Sequence, residues 1–259
     1  MSIPIDGFER TERLTVNSKS GEASRAAEIS ALRISYHSGL PLMKLLQEPL
    51  SFAPSASRDA HMTAKRVFDV IFSMLALLFL LPLLILVAIA VRMESKGPVL
   101  FRQTREGFNG SAFGVFKFRS MRREQEDVTG VAHTVRNDKR VTRVGTFLRR
   151  TSIDELPQLL NVLRGEMSIV GPRPHVPGMR AGHLSYRALV PYYDHRLAML
   201  PGITGWAQAN GLRGDATDPA LAHARIDHDL AYIQNFSLWL DLRIILMTIR
   251  HEFLGGTGN

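Results

Sequence analysis

A chain of 259 residues without a cysteine cannot rest on a disulfide framework, a thiolate metal site or a cysteine nucleophile. Its formal charge of +8 lies entirely beyond residue 64, because residues 1–64 hold seven Lys/Arg and seven Asp/Glu. A basic body of this kind calls for acidic partners: nucleotide phosphates, nucleic acid or anionic lipid headgroups.

Residues 1–64 are small and polar up to Ser30, carry short apolar patches around Leu40–Leu50, and pass through Pro54–Ser57 as a linker. They have no core-forming pattern, so a polar, mobile tail is expected. The segment 65–95 is different. Val70 to Val91 contains no ionisable residue, and twenty-two residues at ~1.5 Å each can cross a ~30 Å hydrocarbon layer. The run starts more than sixty residues in, which argues against a secretory signal. Lys65 and Arg66 precede it, and Arg92, Lys96, Arg102 and Arg105 follow, a distribution that favours two cytoplasmic ends. Pro82 removes a backbone hydrogen bond near the middle and can bend the helix. A re-entrant helix and a kinked span both fit this pattern. Asp69 lies three and four residues after Arg66 and Lys65, so an ion pair along the helix is expected at the membrane surface.

Residues 96–259 read as the globular domain. Pro98–Thr104 and Ala112–Phe118 are predicted strands joined around Asn109-Gly110, a hairpin signal. Residues 122–138 are polar and loop-like. Leu156, Leu159, Leu160 and Leu163 define one apolar helix face, with Gly165 as its stop. Pro157 fits only a first turn, so this helix should begin near Asp154 or Glu155. Residues 171–178 are extended and rigid, and 201–214 form a Gly-rich loop. From about Pro219 the chain reads as helix. Its last segment, Leu238–Leu254, carries Trp239, Phe253, Arg243 and Arg250, and suits either a membrane surface or a core.

The chemistry-bearing residues cluster in this basic domain. Asp154 and Glu155 at a helix start would be held ionised by free N–H groups, as a nucleophile or a metal ligand requires, although acidic residues are also ordinary helix caps. Arg149 and Arg150 precede them, Arg173 is fixed between Pro172 and Pro174, and Lys117 and Arg119 end the hairpin. Carboxylates with guanidinium groups are what phosphate transfer uses. No GxxxxGK[ST] loop, HExxH or strand-linked GxGxxG is present. His175, His183 and His195 show no metal spacing and read as loop or surface residues. Nucleic-acid binding has only the charge in its favour, since no helix-turn-helix or aromatic–basic stripe occurs.

One ordered set of motifs goes further. It consists of Lys65-Arg66-Val67-Phe68-Asp69, the Pro-broken apolar helix, Lys117-Phe118-Arg119-Ser120-Met121, Arg149 through Gln158, Gly171-Pro172-Arg173-Pro174, and Pro201 through Gln208. Over about 64–254 the chain resembles the bacterial sugar transferases, the monotopic polyprenyl-phosphate phosphoglycosyl transferases, in their short exopolysaccharide-initiating form. The resemblance implies a mostly α fold with a small β-hairpin, a re-entrant helix broken at Pro82, and a cytoplasmic domain with amphipathic interfacial helices at the bacterial inner membrane. It implies that Asp154 attacks the β-phosphate of a UDP-sugar, releases UMP and passes a hexose-1-phosphate to undecaprenyl phosphate. Glu155 assists, through Mg²⁺ or as a proton acceptor, with both acids as metal ligands, and Lys117, Arg149 and Arg173 hold phosphates. Leu81 stands where the family often has Ser before the proline. The competing reading is a non-catalytic, membrane-anchored basic binding or regulatory protein of polysaccharide assembly. The sugar and the oligomeric state stay open.

Overall fold

The computed structural model describes residues 56–122, 138, 140–212 and 218–254. Residues 1–55 of the expected tail 1–64 and most of the polar loop 122–138 lie outside them.

Helix α1 runs unbroken through Ala56–Glu94, so it begins nine residues before the predicted 65 and continues through Pro82. Its part from Asp59 to Glu94 is long and apolar enough to cross a membrane by length and composition. At about 1.5 Å per residue, α1 is roughly 58 Å long, nearly twice a hydrocarbon layer.

Both arms of α1 are seated on the same body. In the N-terminal arm, Lys65 Nζ lies 2.6 Å from Asp241 Oδ2, Arg66 donates to the carbonyls of Val162 (2.6 Å) and Leu163 (3.1 Å), and the Asp69 carboxylate accepts from Ile169 N at 3.0 Å. These contacts replace the expected pairing of Asp69 with Lys65 and Arg66. Neighbouring charges on one helix turn meet in water, whereas each of these is drawn off to a backbone or charged group of the domain. In the C-terminal arm, Val87 and Val91 share a core with Phe118 and Leu148. Glu94 accepts from the backbone N–H of Arg143 and Val144, and Arg119 donates to the carbonyls of Ser95 and Lys96. Between the arms, residues 74–86 contain no buried residue.

Strands β1 (Leu100–Glu106) and β2 (Ala112–Phe118) form the predicted antiparallel hairpin, with Phe101 opposite Lys117 and Arg105 opposite Phe113. The first strand ends two residues later than expected. Helix α2 (Arg143–Arg150) is capped by Thr142, whose hydroxyl accepts from Gly145 N. A 3-10 turn over Ile153–Glu155 separates it from α3 (Gln158–Arg164). Pro157 is therefore the N-cap of α3, and the acid pair belongs to the turn before it. The predicted leucine face is only partly buried: Leu159 and Val162 enter the core with Gln158 and Asn161, while Leu160 points outward. Gly165 ends α3 with φ 80°, a conformation that disfavours a side chain.

Strand β3 (Ser168–Val170) pairs in parallel with a later strand. A small hairpin, β4 (Arg180–Ala181) and β5 (Leu184–Ser185), leads into α4 (Tyr186–Leu189) and a 3-10 segment, Tyr193–Ala198. Strand β6 (Gly202–Thr204) is the partner of β3. A Cβ on Gly202 would lie 2.1 Å from the nitrogen of Gly171, so only glycine lets these two backbones meet. Helices α5 (Trp206–Ala209), α6 (Pro219–Gln234) and α7 (Leu238–Leu254) complete the body. The outcome is a mostly helical fold with small sheets. Helix α7 buries Leu240, Asp241, Ile244 and Ile245, and exposes Leu238, Trp239, Leu242, Leu246 and Ile249.

Candidate active site

Asp154 is brought under the hairpin by an abrupt turn. Ser152 adopts φ 53°, a left-handed conformation uncommon for a residue with a side chain. The next three residues coil tightly, which leaves Asp154 buried at 8 % exposure and Glu155 half-buried beside it.

Glu155 is saturated by cations. Its Oε1 receives Lys117 Nζ at 2.7 Å and Arg173 Nη2 at 2.7 Å, and its Oε2 receives Arg173 Nη1 at 3.4 Å. Burial works to raise the Glu155 pKa, but Arg173 and Lys117 outweigh it and hold the carboxylate well below its ordinary value. Asp154 behaves in the opposite way. Burial, reinforced by the charge of Glu155, pushes it up to about 6 against the pull of Lys117, Arg149 and Arg173. The helix-start argument anticipated an Asp154 that stays readily ionised. Asp154 is still mostly ionised at neutral pH, but not for that reason, since α3 starts four residues later and burial raises the pKa.

Arg173 is mounted on a clamped strap. Pro172 and Pro174 have no N–H, and four successive carbonyls of the strap are held by four other residues. Pro172 O accepts from Gly202 N (2.9 Å), Arg173 O from Arg196 Nη2 (2.5 Å), Pro174 O from Arg105 Nη1 (3.2 Å), and His175 O from Glu106 N (2.8 Å). The Gly-rich loop thus supports the strap. Arg196 is itself fully buried and paired with Asp229 at 2.7 Å. His175 is not a surface residue as expected: it is buried, its Nδ1 lies 3.0 Å from the Tyr193 hydroxyl, and burial with the nearby charge of Arg196 holds its pKa well below the usual value. His183 and His195 are exposed, as expected.

Arg149 reaches the site from α2, donates to Ser120 Oγ at 2.9 Å and feels the charge of Asp154. The fold therefore gathers all five predicted residues, Lys117, Arg149, Asp154, Glu155 and Arg173, into one charged cluster. Arg150 is exposed, and Arg119 is turned to the end of α1. The sequence reading missed Arg105. It is half-buried, near Arg173 and Glu155, and two of its nitrogens donate to Gln103 Oε1. Strand alternation carried the signal, since Phe101, Gln103 and Arg105 share a hairpin face with Lys117. Among the described residues no group of three or more His, Cys, Asp or Glu converges on a metal position.

A buried carboxyl with a raised pKa, ringed by cations on a body that carries a long apolar helix, defines an enzyme-like site for phosphate-bearing substrates. The profile of the bacterial sugar transferase family matches residues 60–255, and the chain belongs to this family. It is 57% identical over 194 residues to the exopolysaccharide production protein PSS of Rhizobium leguminosarum bv. phaseoli, covering 75% of this chain and 97% of that protein. It is 53% identical over 211 residues to the undecaprenyl-phosphate glucose phosphotransferase of Komagataeibacter xylinus, covering 82% of this chain but 38% of that protein. It is 47% identical over 219 residues to the UDP-glucose:undecaprenyl-phosphate glucose-1-phosphate transferase of Caulobacter vibrioides, covering 80% of each.

Proposed function

We propose that this phosphoglycosyl transferase moves a hexose-1-phosphate from a UDP-sugar to undecaprenyl phosphate in two steps, through a covalent phosphosugar on Asp154. The observation that carries this reading is the contrast within the acid pair. Glu155 has both oxygens engaged by cations, whereas the Asp154 carboxylate accepts no hydrogen bond among the described residues, and its pKa lies near 6. A nucleophile must be open to substrate and free of strong partners.

In the first step an Asp154 oxygen attacks the β-phosphorus, the bond to the bridging oxygen breaks, and UMP leaves. In the second, a phosphate oxygen of the lipid attacks the same phosphorus and restores the Asp154 carboxylate. Lys117 and Arg173, fixed on Glu155, line the transferring phosphate with positive charge, and Arg149, close enough to feel the charge of Asp154, adds to it. Mg²⁺ would find one open carboxylate here, Asp154, with the rest of its shell drawn from diphosphate and water, a shell typical of this ion. It would neutralise diphosphate charge. Glu155 fits a ligand role poorly because of its two cationic partners, and we assign it to holding Lys117 and Arg173 in place.

Both ends of the apolar helix then lie on the cytoplasmic face of the inner membrane, which requires α1 to bend within the layer at Pro82, where a backbone N–H is missing although the helix continues. Two arms bound to one polar body support this, because that body cannot lie on both sides of a bilayer. Helix α7 lies at the interface with its exposed Trp239 face toward lipid. UDP-glucose is the first donor to test, because two of the relatives above carry glucose in their names. Purified protein with Mg²⁺, undecaprenyl phosphate and UDP-glucose, UDP-galactose or UDP-N-acetylhexosamines should release UMP with one of them. No UMP from any would favour the binding-protein reading. For topology, Ala60→Cys and Lys96→Cys in this cysteine-free chain should both react from the cytoplasmic side. Labelling from opposite sides would sink the re-entrant helix.

A further inference from the structure

The two-step reading leaves one charge without a task. Four cations, Arg105, Lys117, Arg149 and Arg173, surround two carboxylates. Lys117 and Arg173 are hydrogen-bonded to Glu155, which leaves two guanidinium groups with no carboxylate partner among the described residues. Arg149 is the one whose charged neighbours begin with Asp154, the attacking group. Arg105 is the one whose charged neighbours are Arg173 and Glu155.

Arg105 is also held ready. Its Nε and Nη2 both donate to Gln103 Oε1, and Nη1 donates to Pro174 O at 3.2 Å. Gln103 is buried and two residues away on the same strand face, so a neutral group fixes the guanidinium without cancelling its charge. Of the five N–H donors three are engaged, which leaves one on each terminal nitrogen, the fork that suits a phosphate. Burial and the nearby Arg173 push its pKa down to about 10, so it is still cationic at neutral pH but strained by surplus positive charge. Along the hairpin face it lies four residues from the position opposite Lys117, about 13 Å at ~3.3 Å per residue. Glu155 thus has a cation toward each end of that face, Lys117 in direct contact and Arg105 acting through its charge.

We propose that Arg105 is the leaving-group clamp: it grips the α-phosphate of the nucleotide donor while Asp154, beside Arg149, attacks the β-phosphate. When the bond between the β-phosphorus and the bridging oxygen breaks, the electron pair stays on that oxygen and becomes charge on UMP. The two open N–H groups of Arg105 receive this charge, and no proton or co-reactant is needed. This assignment rests on the two-step reading above.

The test uses the full chain in lipid nanodiscs with UMP as the probe and uridine as the phosphate-free control. Arg105→Gln removes the charge, and Arg105→Lys keeps the charge but loses the fork. Wild type should bind UMP at least tenfold more tightly than uridine. Arg105→Gln should erase most of that difference and slow the first UMP release about 100-fold, the scale set by losing one charge-stabilising donor. Arg105→Lys should recover part of both, and uridine binding should stay the same in all three. A wild-type protein that releases no UMP from any UDP-sugar would remove the reaction on which the assignment stands. Wild-type release together with unaltered UMP affinity and release rate in Arg105→Gln or Arg105→Lys would overturn the Arg105 assignment alone.

Discussion

Two of the ionic clusters among the described residues are built in opposite ways. At the foot of the apolar helix, Lys65 meets Asp241 at 2.6 Å, and the second Asp241 oxygen accepts the Tyr232 hydroxyl at 2.6 Å. The pair is almost fully buried, one charge cancels the other, Tyr232 occupies the remaining acceptor, and the nearby buried Asp69 carboxylate is taken up by Ile169 N. At the acid pair, four cations face two carboxylates, one carboxylate is saturated, and the other has a pKa near 6. A balanced cluster has nothing left to offer a ligand and serves the fold. An unbalanced one costs the fold something and is completed by an anionic substrate.

Substitutions should separate the two. The largest effect is expected for Asp154→Asn, which should cost about 10⁴-fold or more in turnover, as loss of one member of a catalytic set does, with the melting temperature kept. Arg173→Gln should lower kcat/KM by about 10²–10³-fold, because it removes a cation from the phosphate and frees Glu155 from its strongest constraint. At the balanced cluster, Lys65→Met should do the reverse. Breaking a buried pair leaves Asp241 uncompensated and should lower stability by about 3 kcal/mol, measured by denaturant unfolding in detergent, while turnover per folded molecule holds. A loss of turnover without a loss of stability there would erase the distinction.

The pH dependence is a gentler probe of the same contrast. A raised pKa means that Asp154 keeps its proton up to about 6 and can attack only once that proton leaves. In the metal-free protein the Asp154 carboxyl should therefore titrate near 6, followed by its infrared carbonyl band with Asp154→Asn as the blank. A titration already complete by about pH 5 would show that burial does not govern this group. The smallest effect is expected at α7. Trp239→Ala with Leu246→Ala should leave the protein in the membrane, held by α1, and reduce turnover on the lipid acceptor only a few-fold. Release of the protein from vesicles would assign the anchoring to α7 instead.

What was legible in the sequence followed from local rules. The hairpin rests on strand alternation around Asn109-Gly110, α3 on its apolar residues and Gly165, and the strap on Pro172 and Pro174. The five site residues were legible as chemical types, and the fold brings them together. Long-range pairings were not legible: Lys65 and Asp241 are 176 residues apart, and no local pattern links them. Asp69 was misjudged for the same reason, because its partner is a backbone N–H from β3. The start of α3 was placed too early because a first-turn proline also suits an N-cap. That short error carried a large one, since the charge of Asp154 was credited to a helix end when desolvation controls it. Arg105 was within reach of the alternation rule once the hairpin register was drawn.

The measurement closest to the central claim is a trapping experiment without acceptor. Protein incubated with labelled UDP-glucose, or whichever donor supports turnover, and no undecaprenyl phosphate should release one UMP per active site. It should retain one hexose phosphate, mapped by peptide mass spectrometry to Asp154, and Asp154→Asn should retain none. Formation of lipid-linked product with acceptor present, but no UMP and no labelled peptide without it, would contradict a covalent intermediate and point to direct transfer between the two substrates.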